Sequence, residues 1–276
     1  MRLATIRSGG ATSAVRVDAS GAVETGYGDV GALLAQPGWA AIAANATGRT
    51  HEPDALDYAP LIPRPGKMIC VGVNYKAHIE EMGREVPSHP TLFAKFPEAL
   101  VGARDDIILP AASNCMDWEA ELAVVIGSQV RNADEVAAEA AIAGYTIIND
   151  VSARDWQFRT VQWLQGKTFE STCPIGPHLV TPDEAGTGLE LRCSVDGETV
   201  QKANTADLVF GPVATIAYIS TILTLNPGDV IALGTPGGVG HARKPPRYLH
   251  DGAVLTTAIS GLGECVNTAR SWMPES

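Results

Sequence analysis

From about residue 67 onward, apolar residues come in short runs punctuated by turn formers, and this pattern limits the fold more than any other feature of the chain. KMICVGVNY, ELAVVIG and DVIALGTPGG have the length of strands and run into Gly, Asn or Pro. LELRCSVDGETVQKANT reads as a hairpin with Asp196-Gly197 at its turn, and AVLTTAISGLGECVNTAR as a closing hairpin. Helical patterns are few. DEVAAEAAIAGYTIIND reads as a helix running into a strand that ends at Asn149-Asp150, and VFGPVATIAYISTILTLNPGD as a helix stopped by Asn226-Pro227-Gly228. There is no regular alternation of strand and helix, which excludes Rossmann and TIM-barrel architectures. The class is mixed and β-dominated (α+β).

Residues 1–60 read as a small N-terminal α/β module. MRLATIR and SAVRVD alternate as strands about the turn SGGAT, and DVGALLAQ and GWAAIAANA read as short helices. APLIPRPGK, with three prolines and a glycine, links the module to a main domain spanning 61–276. Acidic residues outnumber basic ones by 31 to 20, for a net charge of -11, which argues against a nucleic-acid partner but leaves room for an anionic substrate in a locally cationic pocket. The five cysteines are scattered and form no CxxC pair, so they suggest free thiols rather than a zinc site. No stretch has the length and apolarity of a membrane span, and the expected location is the cytoplasm.

Within MDWEAELAVVIG, Glu119 and Glu121 stand two apart at the head of an apolar run. On a strand they point to one face, and burying two like charges there unpaired is costly, so something must compensate. Asp150 ends another apolar strand, and three carboxylates at strand ends are the hard oxygen donors that Mg²⁺, Mn²⁺ or Ca²⁺ favour. Taken alone, E-x-E is common and equally fits solvated edge residues. In NYKAHIEEMG, His78 and Glu81 are three apart and become neighbours on a helical turn, where a carboxylate can orient an imidazole as a general base; an exposed helix gives the same spacing. Lys167, between Gly166 and Thr168, suits an anionic substrate or an enolate, and Arg154 and Gln157 follow Asp150 closely. LGTPGGVGHA is not a phosphate loop. It lacks the lysine and hydroxyl, and Pro236 removes a backbone donor; Thr235 instead suits a carboxylate.

Together CVGVNYKAHIEEMG, LFAKFPEALVG, DWEAELAVVIG, NDVSARDWQ, QWLQGKTFESTCPIGP and LGTPGGVG, in this order and over about residues 64–270, resemble the fumarylacetoacetate hydrolase family, in its bacterial acylpyruvase or fumarylpyruvate hydrolase-like branch. The resemblance implies a catalytic domain of rolled, barrel-like β-sheets, usually homodimeric. It implies a Mg²⁺ site, with Mn²⁺ or Ca²⁺ as substitutes, held by Glu119, Glu121 and Asp150. It puts His78 and Glu81 at the dyad positions, Lys167 at the active-site lysine, and Thr235, Arg154, Gln157 and Lys95 in the substrate pocket.

The implied activity is cleavage of a carbon–carbon bond in a 2,4-dioxo acid such as fumarylpyruvate, of the kind met in aromatic catabolism. Here the metal stabilises the departing enolate and the dyad activates water. The same site also supports an oxaloacetate-type decarboxylase or a 2-hydroxyhepta-2,4-diene-1,7-dioate-type isomerase, so the partner is a small anionic 2-oxo acid. HIEEMGREVPSHP is polar and lacks an apolar stripe, so residues 74–88 are expected to form a lid that orders over the ligand.

Overall fold

The structure, a computed structural model, describes residues 1–81 and 85–273; of Asp54, His78, Glu80 and Glu81 it describes the backbone. Two large sheets dominate. Eleven strands form the first, in the order Thr50–His51, Gly21–Glu24, Ala11–Asp18, Arg2–Ser8, Cys173–Val180, Ile142–Asn149, Ala120–Ile126, Val230–Ala232, Met68–Gly72 and Thr91–Ala94, with Leu100–Val101 paired in parallel to Cys173–Val180. Five form the second: Glu198–Asn204, Glu190–Val195, Val254–Ile259, Gly263–Ser271 and Ile107–Leu109. Among the described strands neither sheet closes into a barrel. The fold is mixed and strand-dominated, as the short apolar runs require.

The turns follow local chemistry. Asp196 and Gly197 both have positive φ, 53° and 80°, which is the backbone of a tight two-residue hairpin. The helix Glu135–Ala140 is capped by Asp134, whose side chain accepts from the Ala137 amide, and the chain then enters the Ile142–Asn149 strand.

Ala120–Ile126 runs through the middle of the large sheet and is buried along its whole length. Its alternate residues serve two cores. Leu122, Val124 and Ile126 pack with Trp118, Ile147 and Leu191; Ala123 and Val125 face Cys70, Ile148, Ile175 and Leu179. Glu119 and Glu121 continue the second face to its end. The antiparallel register pairs Ala120 with Asn149, so Asp150 lies across from Glu119, and the Asp150 amide donates to the Glu119 carbonyl at 2.8 Å. The N-terminal residues extend this same sheet. Arg2 and Leu3 pair with Val180 and Leu179, and Leu3, Val30, Leu33 and Leu34 join the second core.

Candidate active site

Glu119, Glu121 and Asp150 are all buried, and each offers a carboxylate oxygen within 4.8 Å of the others. Strand register explains the convergence, and the surrounding hydrogen bonds fix it. Asn149 accepts from the Glu119 amide at 2.9 Å and donates to Thr257 Oγ1 at 2.9 Å, tying the site to the second sheet. The Gly234 amide donates to Glu121 Oε2 at 2.7 Å. Gly234 has φ of 89°, and a Cβ there would stand 2.8 Å from the Val71 carbonyl and 3.0 Å from Asn74, so glycine is required.

Three cations meet these acids. Lys167 Nζ donates to Glu119 Oε2 at 2.7 Å and to Asp150 Oδ2 at 2.9 Å. Lys95 Nζ donates to Asp150 Oδ1 at 2.6 Å and to the Lys167 carbonyl. Arg154 donates to Asp117 Oδ2 at 2.8 Å and to Gln157 Oε1 at 2.8 Å, and its Nη1 lies 2.6 Å from Glu119 Oε1. Gly166 makes this compactness possible, since a Cβ there would sit 2.4 Å from the Gln157 amide.

The electrostatics follow from burial and neighbours. Burial opposes the charges of Lys95, Lys167 and Arg154, but Asp150 and Glu119 (with Asp117 for Arg154) outweigh it and hold all three protonated. Burial also pushes Asp150 up, yet Lys167 and Lys95 bring it below its ordinary range. Glu121 differs. Burial first, then Asp150 and Glu119, push its carboxyl well above the usual range, and among the described residues it has no ion pair.

A cavity of about 300 Å³ opens onto Glu119 and Glu121. Arg154, Gln157, Lys167 and Thr235 line it, with Phe93, Trp163, Phe158 and His241 among the rings around them. Thr235 is held by its bond to the Ala120 carbonyl at 2.9 Å and by Gln201, whose amide nitrogen donates to Thr235 Oγ1 at 2.9 Å. Lys95 reaches the cluster from behind Asp150, with a fully buried side chain, and is not among the lining residues.

His78 and Glu81 belong to the helix Lys76–Glu81, but their side chains lie outside the described residues. Asn74 anchors the helix: it donates to the Phe210 and Leu233 carbonyls at 3.0 and 2.8 Å and accepts from the Phe210 amide at 2.8 Å. Val73, just before it, lines the cavity with φ of 56°, a strained value for a β-branched residue. Tyr75 and Ile79, one turn apart, are fully buried. They supply the docking face that the polar sequence after His78 does not suggest.

Sequence reasoning missed Asp117, Gln201 and His241. Asp117 was legible as a third acid before the Glu119 pair, but only the fold shows that it accepts from Arg154 and from the amides of Gly240 and His241.

The donor set fits a divalent cation. The cluster holds one more carboxylate than cations among the described residues, and Glu121 is the acid left over. Near it, Tyr75 Oη is buried with no hydrogen-bond partner among the described residues, and after burial itself the Glu121 charge is the main influence on that hydroxyl. Oxygen donors of this type select hard cations.

This strand-dominated fold is that of a known family of enzymes. Residues 67–270 match the family described as "Fumarylacetoacetate (FAA) hydrolase C-terminal", and the chain belongs to the fumarylacetoacetate hydrolase family. Among curated proteins, it is 46% identical over 209 residues to "Oxaloacetate tautomerase Fahd2a, mitochondrial" of Rattus norvegicus, covering 75% of this chain and 67% of that one. Among solved structures, it resembles fumarylacetoacetate hydrolase from Exiguobacterium antarcticum, with TM-score 0.86, 31% identity and coverage of 99% and 100% of the two chains. It also resembles 5-carboxymethyl-2-hydroxymuconate delta-isomerase from Mycobacterium smegmatis, with TM-score 0.84, 32% identity and the same coverage.

Proposed function

We propose that this protein is a divalent-metal-dependent enzyme that moves protons on an enolisable 2-oxo diacid, with keto–enol interconversion of oxaloacetate as its reaction. The observation that carries this reading is the buried triad Glu119, Glu121 and Asp150, whose two glutamates open onto a small cavity lined by Lys167, Arg154 and Thr235. The relative named an oxaloacetate tautomerase and the isomerase of like fold support proton transfer over hydrolysis.

In this reading the triad holds a Mg²⁺ or Mn²⁺ ion, which when bound supplies Lewis acidity toward the 2-oxo acid. The protein's own groups do the rest. The Arg154 guanidinium and the Gln157 amide orient the substrate carboxylate beside Thr235, whose hydroxyl proton is given to the Ala120 carbonyl. Lys167, kept protonated by Asp150 and Glu119, faces negative charge developing on the 2-oxo oxygen as the C3 proton leaves. His78 and Glu81, carried on the Lys76–Glu81 helix, take that proton and return one. Lys95 holds Asp150 in place from behind.

Hydrolysis of an acylpyruvate, the reaction the sequence resemblance implies, is the second reading. It needs the same triad but directs His78 and Glu81 to a water that attacks C4, after which the C3–C4 bond breaks. The two separate in one experiment, with enol decay of oxaloacetate and cleavage of fumarylpyruvate followed in parallel with Mg²⁺ and with chelator. Acceleration of enol decay that chelator removes, with little cleavage, is expected. Cleavage without tautomerase activity would favour the hydrolase, and neither reaction with Mg²⁺ or Mn²⁺ would defeat both.

The proposal extends to a homodimer, supported by exposed Phe96, Trp272 and Met273; a single-chain mass by light scattering would remove that part. It also extends to a reducing compartment, supported by five free cysteines, a condition met both by the cytoplasm and by the mitochondrion in the relative's name. Among the described residues no helix is long and apolar enough to cross a membrane.

A further inference from the structure

The cavity has two unlike ends. At its floor the cations are committed: Lys167 to Glu119 and Asp150, and Arg154 to Asp117, Glu119 and Gln157. In the proposed function a ligand's first carboxylate and 2-oxo group are received there by the triad's metal and by the protons that Arg154 and Gln157 still offer. A diacid brings a second carboxylate, and that group needs a donor elsewhere on the wall.

His241 is placed to be that donor. Its exposed side chain lines the cavity, tilted against Phe158 with ring centroids 5.3 Å apart. Among the described lining residues it is the basic side chain with no carboxylate partner. Its position is set on two sides. The backbone amide donates to Asp117 Oδ2 at 3.0 Å, the same oxygen that receives Arg154 Nε, so one aspartate positions both the floor arginine and the rim histidine. Nδ1 lies 2.9 Å from the Tyr248 hydroxyl. When the hydroxyl donates to Nδ1 the neutral ring carries its proton on Nε2, and the charged ring carries one there in either arrangement, so Nε2 is the nitrogen that donates to an anion. Phe158, tilted against the imidazole, supports the ring on its apolar face.

We propose that His241, oriented by Tyr248, recognises the distal carboxylate of a dicarboxylic 2-oxo acid and so sets the preference of this cavity for diacids over monoacids. This rests on the reading of the floor as a metal and 2-oxo acid site.

The test uses two non-reacting ligands that share the floor-binding end. Oxalate ends there, and N-oxalylglycine adds a distal carboxylate. Dissociation constants are measured by calorimetry with Mg²⁺ on the whole chain. His241→Ala is expected to weaken N-oxalylglycine by about tenfold or more and to leave oxalate within about twofold. His241→Gln, which keeps a neutral donor, should recover part of the loss. Tyr248→Phe should give a smaller loss confined to the same ligand, a selectivity that a merely structural role would not produce. Equal effects on both ligands, or none on either, in His241→Gln and Tyr248→Phe would overturn the assignment even if His241→Ala does not fold. Failure of the unaltered protein to bind oxalate with Mg²⁺ would instead overturn the floor reading and the inference with it.

Discussion

Glu121 receives the Gly234 amide on one oxygen and has no ion pair among the described residues, while Glu119 and Asp150 crowd it in a buried setting. Without metal this carboxylate is a source of instability, and in the proposed function a bound cation relieves it. Glu121→Gln removes the charge and retains the acceptor for Gly234. The metal-free variant is therefore expected to melt at or above the temperature of the metal-free parent. The parent should gain about 3 kcal/mol at an Mg²⁺ concentration of about 100 times its Kd, and the variant little. A variant less stable than the parent without metal, yet still stabilised by Mg²⁺, would contradict this role.

At this scale much was legible. Glu119, Glu121 and Asp150 are acids at apolar strand ends, where packing gives no reason for them. His241 was not legible, because its use depends on a fold contact with Tyr248 and on the Asp117 cradle. Lys95 was not legible as a buried partner of Asp150, since nothing local tells a pocket lysine from one beneath it.

Among the described strands, Cys173–Val180 is a junction of three pairings. It pairs with Ile142–Asn149, which leads to Asp150, with the first strand of the chain, and with Leu100–Val101. His178 on this strand packs edge-on against Tyr58, with Nε2 3.3 Å from the hydroxyl. Burial first, then the charge of Arg2, lowers its pKa to about 4. Below the ordinary value of about 6.5 the unfolded chain takes a proton that the folded chain refuses until about pH 4. Stability from this group is therefore complete above pH 6.5 and falls as the pH drops toward 4, by about 3 kcal/mol at most. Urea titrations at pH 7 and pH 5 should show a drop that His178→Gln reduces; an equal drop in the variant would remove His178 from the account. Strands, hairpins and the helices Glu135–Ala140 and Pro212–Ile222 were readable from alternation and turn residues. The Leu100–Val101 and Thr91–Ala94 strands were not, because two- and four-residue strands are defined by partners far away in sequence.

For the whole molecule, sequence reading separated residues 1–60 from the rest, and we propose that they form a module that seals one flank of the catalytic sheet. Arg2–Ser8 pairs directly with Cys173–Val180, and Val30, Leu33 and Leu34 share the core that supports Val125. The site thus sits at the end of one continuous packed face, which among the described residues holds four carboxylates and three cations in a fixed array with one acid in excess. In the proposed function this excess receives a divalent cation. Titration of chelator-treated protein with Mn²⁺, following the free ion by electron paramagnetic resonance, tests it without relying on any substrate. One Mn²⁺ per chain, displaced by Mg²⁺ and weakened at least about tenfold in Asp150→Asn, is the predicted result. No binding by the parent, or binding untouched by Asp150→Asn, would contradict it.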